Sequence, residues 1–179
     1  MNETVAIPDR GERKQAVSTF DRTVVVTAGA GTGKTELLRE RLLNTLMRPL
    51  TPPVKITDII ALTFTNRAAG EMRVRVRDGL QQFARWADGR DPEASDGPLA
   101  QAYLDLRERY NLPSGSVRRR AMDALQDIDK ATICTMHSFA ARILRRHPGR
   151  AGLDPSFVED DRLAFDEQFE DAWRGYLSE

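Results

Sequence analysis

Apolar positions along the chain follow two periods. Val24 to Val26, Ile59 to Leu62 and Ala131 to Thr135 are short runs rich in β-branched residues, and Ile56 to Phe64 around the second reads as a strand covered on both faces. Elsewhere the apolar residues recur every third or fourth position, the helical period. Leu37, Leu38, Leu42, Leu43 and Leu46 form such a stripe between Glu36 and Arg48, and Pro49, Pro52 and Pro53 end it. Ala68, Met72, Val76, Leu80 and Phe83 form a second stripe, with Asn66 as the predicted cap and Arg67, Arg73, Arg75 and Arg77 largely off it. A short helix is predicted from Asp9 to Phe20 with Asp9 as N-cap, and two more over Leu99 to Tyr110 and Ser116 to Ile128, separated by Pro113-Ser114-Gly115. Gly89 to Gly97 reads as a loop. Phe165, Phe169, Trp173 and Tyr176 give a last helix, opening near Asp160 or Asp161, an apolar stripe that needs a partner.

Each apolar run turns directly into a helix. That alternation predicts an α/β fold, a parallel sheet with flanking helices, in which ligands gather beyond the carboxyl ends of the strands. The three strand-to-helix junctions therefore belong together. The first is Thr23 to Thr35, TVVVTAGAGTGKT. Gly29, Gly31 and Gly33 permit the backbone conformations that aim successive N–H groups at one anion, and the helix opening at Thr35 adds its positive end. Ala28, Gly29, Ala30, Gly31, Thr32 and Gly33 would wrap the phosphates of a nucleotide, Lys34 would meet the terminal ones, and the Thr35 hydroxyl would be a ligand for Mg²⁺. Ala28 stands where the strict motif has Gly, a small departure because the turn needs only a small residue. Gln15 either reads the adenine edge of that nucleotide or is a surface residue.

The second and third junctions carry a different chemistry. Thr63, Phe64, Thr65, Asn66 and Arg67 follow one strand; Thr135, His137, Ser138 and Phe139 follow the other. Aromatic faces stack on unpaired bases while hydroxyls and guanidiniums hold phosphates, so both junctions suit single-stranded nucleic acid. Taken singly, Phe64 and Phe139 read better as core residues at strand ends and His137 as an ordinary polar residue, and the arginines of the second helix fit a solvated face; the ordered conjunction of the junctions is what favours nucleic acid.

Charge narrows this only locally. The 27 basic and 27 acidic residues cancel. Lys130 to Arg150 holds five Lys or Arg and no acid, whereas Asp154 to Glu179 holds nine acids against Arg162 and Arg174. No run approaches the length of a membrane span and the N-terminus has no secretory pattern, which predicts a cytoplasmic protein. Cys134, the single cysteine, excludes an internal disulfide and reads as a small buried hydrophobe.

Three segments together, AGAGTGKT at Ala28 to Thr35, ALTFTNRAAGEMRVRV at Ala61 to Val76 and TICTMHSFAARILRRHP at Thr132 to Pro148, resemble the first RecA-like domain of UvrD/Rep-type superfamily 1 helicases, in their RecB/AddA-like helicase–nuclease branch. The resemblance covers most of residues 9 to 150 and implies a P-loop NTPase of RecA-like fold using ATP and Mg²⁺. It implies Lys34, the catalytic lysine, and Thr35 on phosphate and magnesium, and Phe64, Thr65, Asn66, Thr135 and His137 on or near single-stranded DNA; Thr63, Arg67 and Ser138 join the DNA candidates from the reading of the junctions themselves. It also implies residues 1–150 as a partial ATP-binding domain, with a helical insertion at about 90–129, and 151–179 as the start of a helical appendage. Partner subunits of a helicase–nuclease complex are a further implication. The leucine-asparagine lead-in of the family's adenine-reading motif is absent before Gln15. No apolar strand ends in the Asp-Glu pair that the family uses on metal and water, since Phe157-Val158 before Glu159-Asp160-Asp161 is too short, and no nuclease carboxylate cluster is recognisable. The expectation is the amino-terminal piece of an ATP-dependent DNA helicase of repair and recombination, inactive on its own. The alternative is a truncated nucleotide- or DNA-binding module.

Overall fold

A computed structural model describes residues 10–29, 31–90, 92, 97–154, 156–157, 169, 171 and 173–176. It divides into two compact units, Met1–Thr135 and Met136–Glu179. The first contains α1 (Arg10–Ser18), α2 (Lys34–Met47), β1 (Ile60–Thr63), α3 (Asn66–Ala87), α4 (Pro98–Tyr110), α5 (Ser114–Gln126) and β2 (Thr132–Thr135), with single 3₁₀ turns at Ile56–Asp58 and Ile128–Lys130. The second contains α6 (Met136–Arg146) and α7 (Pro148–Ala151).

The first unit is mostly helical around a small sheet. β1 and β2 pair in parallel, Ile60 opposite Thr132 and Thr63 opposite Thr135, so both strands end at the same edge. The long helix α3 is the centre of the core. Its stripe Met72, Val76, Leu80 and Phe83 is buried together with Leu43 and Met47 of α2, Tyr103 of α4, Val117 of α5 and Ile133 of β2. Phe83 and Tyr103 meet edge to face with ring centroids 5.1 Å apart, a favoured aromatic geometry. At Gly79 a Cβ would lie 2.8 Å from Leu43 Cδ1, so the missing side chain is what lets α2 and α3 approach this closely. Two arginines of α3 act as structural ties. Arg73 donates to the Ile133 carbonyl at 3.1 Å, and Arg77 pairs with Asp129 at 2.8 Å.

Several expectations require correction. Val24 to Val26 pair with no strand among the described residues, and Val25 is 84% exposed. An apolar run becomes a buried strand only when a neighbour satisfies its ladder groups, and β1 and β2 satisfy each other. The second strand is shorter than its apolar run because Ile56–Asp58 turns as a 3₁₀ element, and only one face is covered: Ile60 and Leu62 remain exposed. The α3 stripe passes through Ala69 rather than the exposed Ala68. Its N-cap is Thr65, not Asn66, because the Thr65 hydroxyl accepts from the Ala68 N–H at 3.1 Å. α5 begins at Ser114, with Pro113 as the N-cap position. Cys134 is half-buried. Asp9, most of the Gly89–Gly97 loop, Phe165 and the Asp160–Asp161 helix start lie outside the described residues.

Candidate nucleotide site and strand-end surface

The glycine-rich loop follows the Val24–Val26 segment and leads into α2. Gly31 and Gly33 have φ of 75° and 81°, the left-handed region where a side chain is strained. Gly33 is the N-cap of α2 and has no side-chain cap bond, so the helix begins on bare backbone donors. Lys34 is the first helical residue, one earlier than the sequence pattern suggests. Its ammonium donates to the Ala28 carbonyl at 2.7 Å and to the Gly29 carbonyl, and the Thr32 hydroxyl donates to Gly29 O at 2.8 Å. Ala30 lies outside the described residues.

A cleft of about 470 Å³ opens beside this loop. Its lining includes Ala28, Thr32, Gly33 and Lys34 of the loop and helix start, and Arg13, Gln15 and Arg22 from α1 and the segment after it. The structure thus brings Gln15 to the same cavity as the loop, although 12 intervening residues separate it from Ala28. α1 is held in place by a small cluster of Ala16, Val17 and Leu37 with Val24 against it, by Arg41 donating to the Ala16 carbonyl, and by a Lys14–Asp105 ion pair of 3.1 Å. Arg13 donates to the Thr32 carbonyl. Sequence reasoning passes over this residue, and no short-range pattern marks it, because its partner lies 19 positions away. The volume, the left-handed glycines, the free helix start and the ammonium fit a nucleotide polyphosphate. Thr35 is exposed at the same helix start, and among the described residues no cluster of three His, Cys, Asp or Glu side chains could hold a metal by itself.

At the sheet edge, Thr63 and Thr135 are register partners. Thr63 Oγ1 donates to the Thr65 carbonyl at 2.9 Å, and Thr65 caps α3. These two hydroxyls shape the turn and leave Phe64 between them 94% exposed. Asn66 and Arg67 are exposed, Arg67 pairing with Glu71 at 3.0 Å, and Thr135 is buried. In the second unit, α6 starts at Met136, so His137, Ser138 and Phe139 occupy its first turn; His137 is exposed and Phe139 half-buried rather than exposed. Arg145 lies over the Phe157 ring, 5.2 Å from its centroid. Phe169, Trp173 and Tyr176 are exposed, with Phe169 and Trp173 stacked at 6.4 Å. No helix among the described residues is long and apolar enough to cross a membrane.

Residues 10–176 match the family model of the UvrD/REP helicase N-terminal domain. The chain is 37% identical over 154 residues to an ATP-dependent helicase/nuclease subunit from Pelotomaculum thermopropionicum, covering 86% of the chain and 10% of that protein. It is 32% identical over 173 residues to a protein of the same name from Desulforudis audaxviator, covering 92% and 12%, and 34% identical over 151 residues to one from Thermoanaerobacter sp., covering 84% and 10%. The chain spans about a tenth of the length of the curated relatives it matches.

Proposed function

Because the chain belongs to the UvrD/REP helicase N-terminal domain family, we propose that it is the ATP-binding part of an ATP-dependent DNA helicase, working on single-stranded DNA in repair and recombination. The mostly helical unit with its two-stranded parallel sheet is consistent with a RecA-like α/β fold, and we assign residues 1–150 to that domain and 151–179 to the start of a helical insertion. The names of the relatives support a helicase–nuclease setting with partner subunits.

The observation that carries the reading is the loop itself: left-handed Gly31 and Gly33 leading into an uncapped α2 beside a cleft that also contains Lys34 and Gln15. ATP bound with Mg²⁺ supplies the free energy of hydrolysis. The backbone donors of Gly31 to Thr35 would hold its phosphates, Lys34 would exchange the Ala28 and Gly29 carbonyls for phosphate oxygens, Thr35 would face the magnesium, and Gln15 would face the base. For DNA, the exposed Phe64 offers a stacking face at the sheet edge, with Thr63, Thr65, Asn66, Arg67 and Thr135 at the same edge, while His137 and Ser138 of α6 carry similar chemistry in the second unit.

The test is binding of a fluorescent ADP analogue with Mg²⁺. Lys34→Ala is expected to cost about 1.5 to 3 kcal/mol of affinity, the range for hydrogen bonds to charged groups, without lowering the unfolding midpoint. Equal binding by the folded variant overturns the reading. Phosphate release by this chain alone is expected to be negligible even with single-stranded DNA, because no long apolar run in its sequence leads into an Asp-Glu pair.

A further inference from the structure

We infer that Arg13 is a positioning residue of the nucleotide site, acting through the phosphate loop rather than on the base. The inference rests on the proposal that this loop binds nucleotide. The Arg13 guanidinium donates to the Thr32 carbonyl, and its nitrogens lie 3.4 and 3.5 Å from where a Cβ on Gly33 would stand. It therefore sits against the last turn of the loop, immediately before α2. A trans peptide is planar, with its C=O and the following N–H pointing in opposite directions. Drawing the Thr32 carbonyl towards α1 aims the Gly33 N–H the other way. That peptide is the hinge between the loop and the first helical donor, and Gly33 at φ 81° has wide conformational freedom unless something outside the loop restrains it.

The restraint is itself anchored. α1 is tied to α2 by Ala16, Val17 and Leu37 and by the Arg41 bond to the Ala16 carbonyl, and to α4 by Lys14 and Asp105. Gln15 lines the cleft from the same helix two residues on, so one rigid element supplies both a base-facing group and a loop restraint. The two roles predict different selectivity. Removing a base reader changes discrimination between ATP and GTP; removing a restraint on the phosphate-binding backbone weakens every polyphosphate by the same factor.

The experiment uses the whole chain with Arg13→Ala, and Arg13→Gln as a variant that keeps side-chain bulk. Mg²⁺-dependent affinities for ATP, GTP and inorganic tripolyphosphate are measured by competition. Steady-state ¹H–¹⁵N nuclear Overhauser effects at Gly31, Thr32 and Gly33 are measured without any ligand. The expected result is a loss of about tenfold, equal for all three ligands, with lower Overhauser values confined to the loop and an unchanged unfolding midpoint. Unchanged Overhauser values in both variants overturn the inference, whatever happens to affinity. A loss confined to ATP overturns it in favour of base contact. If the unaltered chain binds none of the three ligands, the proposed function fails, while the ligand-free measurement still decides whether Arg13 restrains the loop.

Discussion

The two parts of the first unit differ in how their side chains are spent. Around Phe83, four helices and β2 bury a continuous apolar core in which Val76, Leu80, Phe83, Tyr103 and Val117 are fully enclosed. Around Lys34, the buried cluster among the described residues is just Ala16, Val17 and Leu37, and Val25 and Val26 on the way into the loop are exposed. The first region holds the fold and carries none of the proposed contacts to nucleotide or DNA. The second carries the proposed nucleotide contacts on backbone restrained by a few side-chain bonds. Stability and ligand chemistry should therefore respond to different substitutions.

The strongest challenge to that separation is Phe83→Ala. Truncating a fully buried aromatic costs about 3 to 5 kcal/mol, so urea denaturation should show a large loss of stability or no folded chain at all. A cost below about 1 kcal/mol would mean that the core is not where the fold is held. Phe64→Ala makes the converse case. With its ring 94% exposed, it is expected to leave the urea midpoint unchanged and to cost about 1 to 3 kcal/mol in single-stranded DNA binding, measured by fluorescence anisotropy. Thr65→Ala sits between the two. Losing the cap of α3 should cost about 1 kcal/mol of stability, and DNA binding should weaken as well if the Thr63–Thr65 turn is what presents Phe64.

The smallest expected effect concerns pH. Burial raises the Glu40 carboxyl above its ordinary value, against the opposing pull of Arg39 and Arg13. A raised value in the folded state means that the folded chain keeps a proton where the unfolded chain has lost it. This contribution is then fully present below the unfolded value and is lost as pH rises through the folded one. Glu40→Gln should flatten that fall in a urea series from acid to neutral pH, with nucleotide affinity at neutral pH unaffected. An unchanged slope would place the carboxyl in better contact with water than its burial implies.

What can be read from the sequence is local. The glycines leading into a helix at Lys34 and the α3 stripe are patterns a few residues long, and the structure has both to within one residue, α2 opening at Lys34 rather than Thr35 and the stripe passing through Ala69 rather than Ala68. What escapes depends on partners distant along the chain. Arg13 meets Thr32 from 19 positions away, and Arg73 meets Ile133 from 60. Val24 to Val26 have the composition of a strand, but strand pairing belongs to the neighbour as much as to the run, and β-branched residues alone cannot specify it. The Thr65 cap is hidden for a subtler reason. Asn66 and Thr65 are both capping residues one position apart, and the choice falls to the residue whose hydroxyl can reach the Ala68 N–H.

The bonds from Lys34 to the Ala28 and Gly29 carbonyls make the loop its own competitor. In the proposed site, an ammonium already satisfied would have to be released before meeting phosphate, so the observed dissociation constant would be the intrinsic one divided by the fraction of loops in the released state. If that fraction were about one in a hundred, affinity would be about a hundredfold weaker than the contacts alone provide. A substitution that weakens the carbonyl grip while leaving Lys34 intact would then tighten nucleotide binding without adding any contact to the ligand.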